Sequence, residues 1–155
     1  RSRLAPHRPD VEITEGIFVD SGHPTARILS SLRELGIGVA LDDFGTGYSA
    51  LGYLGRLPID KLKIDKSFIN RLPGDPEASA IVSAVLSLSG SLGLPVVAEG
   101  IESPEQADLL ARLGCTIGQG YLYGKAASLN DLERAMASRS AWGTCENPAR
   151  AQPAA

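Results

Sequence analysis

Gly36-Ile37-Gly38-Val39-Ala40-Leu41 is a short apolar run that stops at two adjacent acids, Asp42-Asp43. A run of this length, bounded by Gly and Asp, reads as a strand. Four other segments have the same form: Asp10–Thr14, Lys61–Ile64, residues 95–98 and, more weakly, residues 116–121. Between them lie stretches with helical spacing. Residues 25–35 carry Ile28, Leu29, Leu32 and Leu35. Residues 77–92 carry Ile81, Ala84, Val85, Leu88 and Leu92, and residues 103–113 carry Ala107, Leu110 and Leu113. Ser128-Leu129-Asn130-Asp131 opens a last helix expected to run through Met136. Ser103-Pro104-Glu105 offers an N-cap, a proline at the first helical position and an early acid. Gly36 and Gly114 each follow a leucine and read as helix C-caps. Strand and helix alternate, which predicts an α/β fold: a parallel sheet with helices outside it.

Each expected strand carries or leads to a polar group: Glu12, then Asp42-Asp43, then Lys63 followed by Asp65, then Glu99, then Gln119. Barrel enzymes keep their active sites at the C-terminal ends of parallel strands. Side chains alternate faces along a strand. Val11 and Ile13 flank Glu12, and Leu62 and Ile64 flank Lys63. If those aliphatic residues face the outer helices, Glu12 and Lys63 face inward, and Asp42 and Glu99 fit the same phase. Converging carboxylates repel each other, and a cation is the natural compensator. Oxygen ligands suit Mg²⁺ or Mn²⁺. Adjacent Asp42 and Asp43 suit two metals, an arrangement that holds both the attacking and the leaving oxygen of a phosphoryl displacement.

Composition narrows the alternatives. The 155 residues are 43% hydrophobic, with a net charge of −3 and no basic block. That allows one folded domain and disfavours binding to a nucleic-acid polymer. Cys115 and Cys145 have no metal-ligand spacing, so a reducing compartment is the simplest fit. No secretory signal stands at the N-terminus. The least polar stretch, residues 78–98, is broken by serines, glycines and Pro95 and reads as helix, loop and strand, not as a membrane segment. Cytoplasmic localisation is expected, in this chain or in a membrane-anchored parent. Arg1 in place of Met suggests a fragment boundary. Residues 138–155 read as a disordered tail, with Trp142 isolated in it. His7 and His23 read as surface residues in loops.

The ordered motifs resemble those of EAL domains. Asp42-Asp43-Phe44-Gly45-Thr46-Gly47-Tyr48-Ser49-Ala50-Leu51 is similar to the family's DDFGTGYSSL loop. Leu57-Pro58-Ile59, with Leu62-Lys63-Ile64-Asp65-Lys66-Ser67-Phe68, resembles LPxDxLKIDxSF. Val96-Val97-Ala98-Glu99-Gly100-Ile101-Glu102 resembles VxAEGVE, Gln119-Gly120-Tyr121-Leu122-Tyr123-Gly124 resembles QGYLFG, and Glu12-Ile13-Thr14-Glu15 resembles ExTE.

The resemblance implies a partial TIM-type (β/α) barrel of about five βα units, in which residues 1–137 form the C-terminal portion of the domain and three strands are missing at the front. It implies metal-dependent hydrolysis of cyclic di-GMP to the linear dinucleotide pGpG in bacterial second-messenger signalling, with Mg²⁺ or Mn²⁺ in a two-metal site. Glu12 and Asp42 would be metal ligands, and Asp43 a ligand of the second metal. Glu99 would bind metal or activate water. Lys63 would orient the attacking water or offset phosphate charge. Gln119 would hydrogen-bond beside that water or the substrate. Glu15 would hold the loop 44–49, in which Gly45 and Gly47 act as pivots, with Glu102 in support.

The EAL tripeptide and the family's Asn-bearing strand are absent, so the metal site expected on this chain is incomplete. Gly16 and Ala126 replace a usual Ser and a usual Pro. A module that binds cyclic di-GMP or a protein partner without cleaving is the alternative. An unrelated metal-dependent barrel lyase or isomerase is disfavoured by the loop match. Cyclic di-GMP, a second copy of the chain, and sensory or cyclase domains of a parent protein are the expected partners.

Overall fold

The computed structural model of the chain describes residues 10–45 and 54–138. His7, residues 46–49 of the glycine-bearing loop and the expected tail at 139–155, with Trp142 and Cys145, lie outside the described residues. Five strands form one parallel sheet in sequence order: β1 (Asp10–Thr14), β2 (Gly38–Phe44), β3 (Lys61–Ile64), β4 (Val96–Ala98) and β5 (Ile117–Gly118). The helices are α1 (Ile17–Glu34), α2 (Lys66–Ile69), α3 (Pro76–Leu92), α4 (Pro104–Arg112) and α5 (Leu129–Ser138), with a 3-10 turn at Leu54–Arg56. A parallel sheet whose strands alternate with helices is the partial α/β barrel the sequence predicts.

The chain divides into two compact units, residues 1–122 and 123–155. The first holds the sheet and α1 to α4. Its core is aliphatic: Val39, Leu41, Leu62, Ile64, Ile69, Val82 and Ala98 are sealed from solvent. The second holds α5, whose N-terminus is closed by Ser128: its Oγ accepts from Asp131 N–H and donates to the Asp131 carboxylate.

Helix starts follow cap chemistry. Asp65 Oδ1 accepts from Ser67 N–H at 2.9 Å to open α2, and Asp75 Oδ1 accepts from Glu77 and Ala78 N–H to open α3. Ser103 and Gln106 form a reciprocal capping box on α4. Gly36 and Gly114 stand just past α1 and α4 with φ of 81° and 89°, the left-handed backbone a C-terminal glycine supplies.

Four expectations are corrected. Helix α1 begins at Ile17, eight residues before the expected start, and runs through Pro24 and His23, so His23 is helical and not in a loop. Within α1, Thr25 and Leu29 are buried, while Ile28 and Leu35 are 62% and 64% exposed. Helix α3 buries Ala78, Val82, Val85 and Ser89 and leaves Ala84 and Leu92 exposed. That helix is apolar on nearly every side, so periodicity alone selects no face. Strand β5 is only two residues long; at Gln119 the N–H still donates to Ala98 O of β4, and the carbonyl accepts from Ile101 N–H beyond that strand.

Candidate active site

In parallel pairs, residues in register point to the same side of the sheet. Glu12 is in register with Ala40, and Ala40 with Lys61. Thr14 pairs with Asp42, and Lys63 with Val97. One face is therefore apolar under the helices, and the other carries the charges. Lys61 Nζ meets Asp10 Oδ2 at 2.7 Å near the start of the strands.

Two residues further along, Lys63 reaches three carboxylates at once. Its Nζ lies 2.8 Å from Glu12 Oε1, 3.1 Å from Asp42 Oδ1 and 2.7 Å from Glu99 Oε1. No two of those oxygens can stand further apart than roughly twice a hydrogen bond. The lysine side chain is 8% exposed, and its neighbours Leu62 and Ile64 are fully buried. Burial alone would lower its pKa. The hydrogen bonds it donates to Glu12, Glu99 and Asp42 outweigh that and hold it well above the usual lysine range. Lys63 therefore favours its charged form in this arrangement, paired to all three carboxylates.

A backbone irregularity shapes the end of β2. Leu41 pairs with Leu62, but Phe44 pairs with Ile64, so β2 spends three residues where β3 spends two. The extra residue is a bulge at Asp42-Asp43. Asp43 takes φ 55°, rare for a residue with a side chain, and its N–H donates to Asp42 Oδ1 at 3.0 Å. In a regular strand the two carboxylates would point to opposite faces. The bulge breaks that alternation and returns Phe44 to the core. Nothing in the sequence announces a bulge; the paired acids ahead of Phe44-Gly45 are its only trace.

Glu15, at the end of β1, accepts from Gly45 N–H at 2.9 Å through Oε1. Its Oε2 is buried with no hydrogen-bond partner among the described residues. Gly45, where the glycine loop begins, is thus tied to the residue that follows β1. The loop residues 46–49 that Glu102 is expected to support lie outside the described residues. The Glu102 side chain is exposed, and its backbone N–H donates to Gln106 Oε1. Gln119 is also exposed, and its backbone supplies the contacts: N–H to Ala98 O at 2.8 Å and O from Ile101 N–H at 3.0 Å.

Gln106 is the residue the sequence reading passes over. It is buried, and both ends of its amide are used. Oε1 accepts from Glu102 and Ser103 N–H, and Nε2 donates to Ile69 O. It fastens the segment after Glu99 to the end of α2. The capping spacing Ser103–Gln106 was the signal that could have found it. Gly120 fixes the other side of that segment: a Cβ there would lie 2.1 Å from Ile101 O and 2.2 Å from Ile101 N.

Glu12, Asp42 and Glu99 offer hard oxygen donors from three strand ends, with Asp43 beside them. This donor chemistry fits Mg²⁺ or Mn²⁺. Among the described residues, no three carboxylates are arranged to hold an ion as they stand. They are gathered around the Lys63 ammonium instead. A groove of about 550 Å³, lined by Asp10, Arg33, Ile37 and Asp60, lies at the opposite ends of the strands and away from this chemistry. None of the described helices is long and apolar enough to cross a membrane.

The EAL domain family model matches residues 1–126. The bifunctional diguanylate cyclase/cyclic di-GMP phosphodiesterase MucR of Pseudomonas aeruginosa is 46% identical over 125 residues, which is 81% of this chain and 18% of that protein. Among solved structures, the PaMucR phosphodiesterase–c-di-GMP complex superposes with a TM-score of 0.78 at 44% identity, over 83% of this chain and 52% of that one. The Klebsiella pneumoniae BlrP1 manganese/cy-diGMP complex at pH 6 superposes with a TM-score of 0.73 at 34% identity, over 79% of this chain and 31% of that one. The chain therefore spans about a fifth of the length of the curated relative.

Proposed function

We propose that this chain, which belongs to the EAL domain family, supplies the metal-binding carboxylates and the lysine of a cyclic di-GMP phosphodiesterase that yields the linear dinucleotide pGpG. The observation that carries this reading is the convergence of Glu12 of β1, Asp42 of β2 and Glu99 just after β4 on the Lys63 ammonium of β3. Three carboxylates face one ammonium, so the cluster keeps an excess of negative charge that a further cation would offset.

Mg²⁺ or Mn²⁺ bound here would supply a nucleophilic water at neutral pH and screen the phosphate charge. The chain's own residues divide the remaining work. Glu12, Asp42 and Asp43 would hold the ions, the bulge breaking the alternation that would otherwise send the two aspartates to opposite faces. Glu99, on the residue after β4, ligates or accepts the proton of the attacking water. Lys63 presents a permanent positive charge to the phosphodiester. Gln119 hydrogen-bonds at the rim, and Glu15 holds the entrance to the glycine loop. The manganese and c-di-GMP named in the BlrP1 complex support this choice of ion and substrate. The cyclase named in MucR supports cyclase or sensory domains as companions in a parent protein.

Turnover of cyclic di-GMP by the purified chain, with Mn²⁺ or Mg²⁺ and with EDTA, tests the reading. Linear dinucleotide formed only with metal supports it. Saturable cyclic di-GMP binding without product favours the non-catalytic module, and neither binding nor product removes the reading for this chain.

A further inference from the structure

We propose that Lys63 is the site's resident counter-cation: its ammonium holds Glu12, Asp42 and Glu99 together without metal, and a divalent ion must displace it to gain those carboxylates. This rests on the metal-site reading above and deepens it. An ammonium has three protons, and three carboxylate oxygens at 2.7 to 3.1 Å use all of them. Asp42 and Glu99 keep only 20% and 18% of their side-chain surface in solvent, so their charges are poorly hydrated and depend on that ammonium.

A metal bonded to the same oxygens would stand within a few ångströms of a second full positive charge, which is strongly repulsive in so closed a place. Both cations cannot keep the same three ligands. The lysine stem has four rotatable carbons, so Nζ can swing off the carboxylates while β3 stays paired. Lys63 is then a positioning residue that stabilises the metal-free chain and weakens metal binding.

The test compares wild-type chain with Lys63→Met, which keeps the apolar stem, by thermal melting in EDTA and in saturating Mn²⁺, and by calorimetric Mn²⁺ titration. Lys63→Met should melt lower in EDTA and gain more from Mn²⁺ than wild type does. Its Mn²⁺ affinity should rise about tenfold, as expected from removing one competing charge at short range. A Mn²⁺-induced shift in the variant equal to or smaller than that of wild type overturns the inference and leaves the metal-site reading standing. No Mn²⁺ shift in either protein overturns that reading and this inference with it.

If the variant fails to fold, ¹⁵N-lysine spectra of wild type decide. The Lys63 ammonium protons should be visible and slow to exchange in EDTA, and should lose that protection with Mg²⁺. A Lys63 signal unmoved by Mg²⁺ concentrations that raise the melting temperature overturns the inference.

Discussion

Glu15 and Gly45 are joined by a hydrogen bond of 2.9 Å that links the end of β1 to the turn leaving β2. The acceptor is a carboxylate and the donor is a backbone N–H whose residue has φ 96°, so the bond pins a position that glycine alone adopts readily. The bulged Asp42-Asp43 pair lies just upstream, separated from this link by Phe44.

Glu15→Ala should lower stability by about 1 kcal/mol, as expected for one partly exposed charged hydrogen bond. Its effect on metal-dependent turnover should be larger than that loss implies, because the loop entrance is released. Glu15→Gln retains an acceptor and should recover most of the stability. Urea unfolding beside turnover checks both. Equal activity of the Ala variant and wild type would remove Glu15 from any role in the loop.

Gly120→Ala should be destabilising on the order of 3 kcal/mol, the upper range for forcing an atom into filled space. The obstructing atoms are Ile101 backbone, which cannot rotate away as a side-chain tip can. A chemical-denaturation midpoint equal to wild type would show that the Gln119–Ile101 junction moves freely.

Acid should weaken the starts of α2 and α3. In Asp65, burial opposes ionisation, but the Ser67 hydrogen bonds outweigh it and hold its pKa below the ordinary 3.8. In Asp75, the Ala78 N–H and then Arg71 do the same. A carboxylate with a depressed folded-state pKa contributes stability that is complete above its unfolded value and is lost as pH falls through the folded one. The melting temperature should therefore hold steady at neutral pH and fall below the ordinary carboxylate range. Asp75→Asn, which caps without titrating, should flatten part of that fall. An unchanged acid limb in the variant would assign the loss to other groups.

Much of this was legible in the sequence. The strands β1 and β3 stand where alternation of apolar and polar residues put them, because each carries one charged residue between two aliphatics. That same alternation put Glu12 and Lys63 on one face. The bulge was not legible, since it depends on how β2 meets β3 and not on β2 alone. The early start of α1 was hidden by Gly22 and Pro24, residues that ordinarily argue against a helix. The face of α3 was hidden by an excess of apolar residues. Glu102 and Gln119 carry motif letters whose visible contacts here are made by backbone atoms, which a side-chain reading does not foresee.

The outer edges of β1 and β5 pair with no strand among the described residues. Open edges invite pairing with another chain. The isolated chain should therefore be dimeric or poorly soluble in light scattering after size exclusion. A monomer that unfolds cooperatively at high concentration would contradict this.

The most direct test of the central claim is Mn²⁺ binding by the wild-type chain and by Asp42→Asn, followed by calorimetry and by manganese EPR. The substitution keeps shape and the backbone hydrogen bond to Asp43, and removes one charge from the point where three strand ends meet. The account predicts saturable Mn²⁺ binding in the wild type and binding at least about tenfold weaker in the variant, with the fold retained by circular dichroism. Equal Mn²⁺ affinity in the two proteins would contradict it, because Asp42 would then gather at Lys63 without serving a metal.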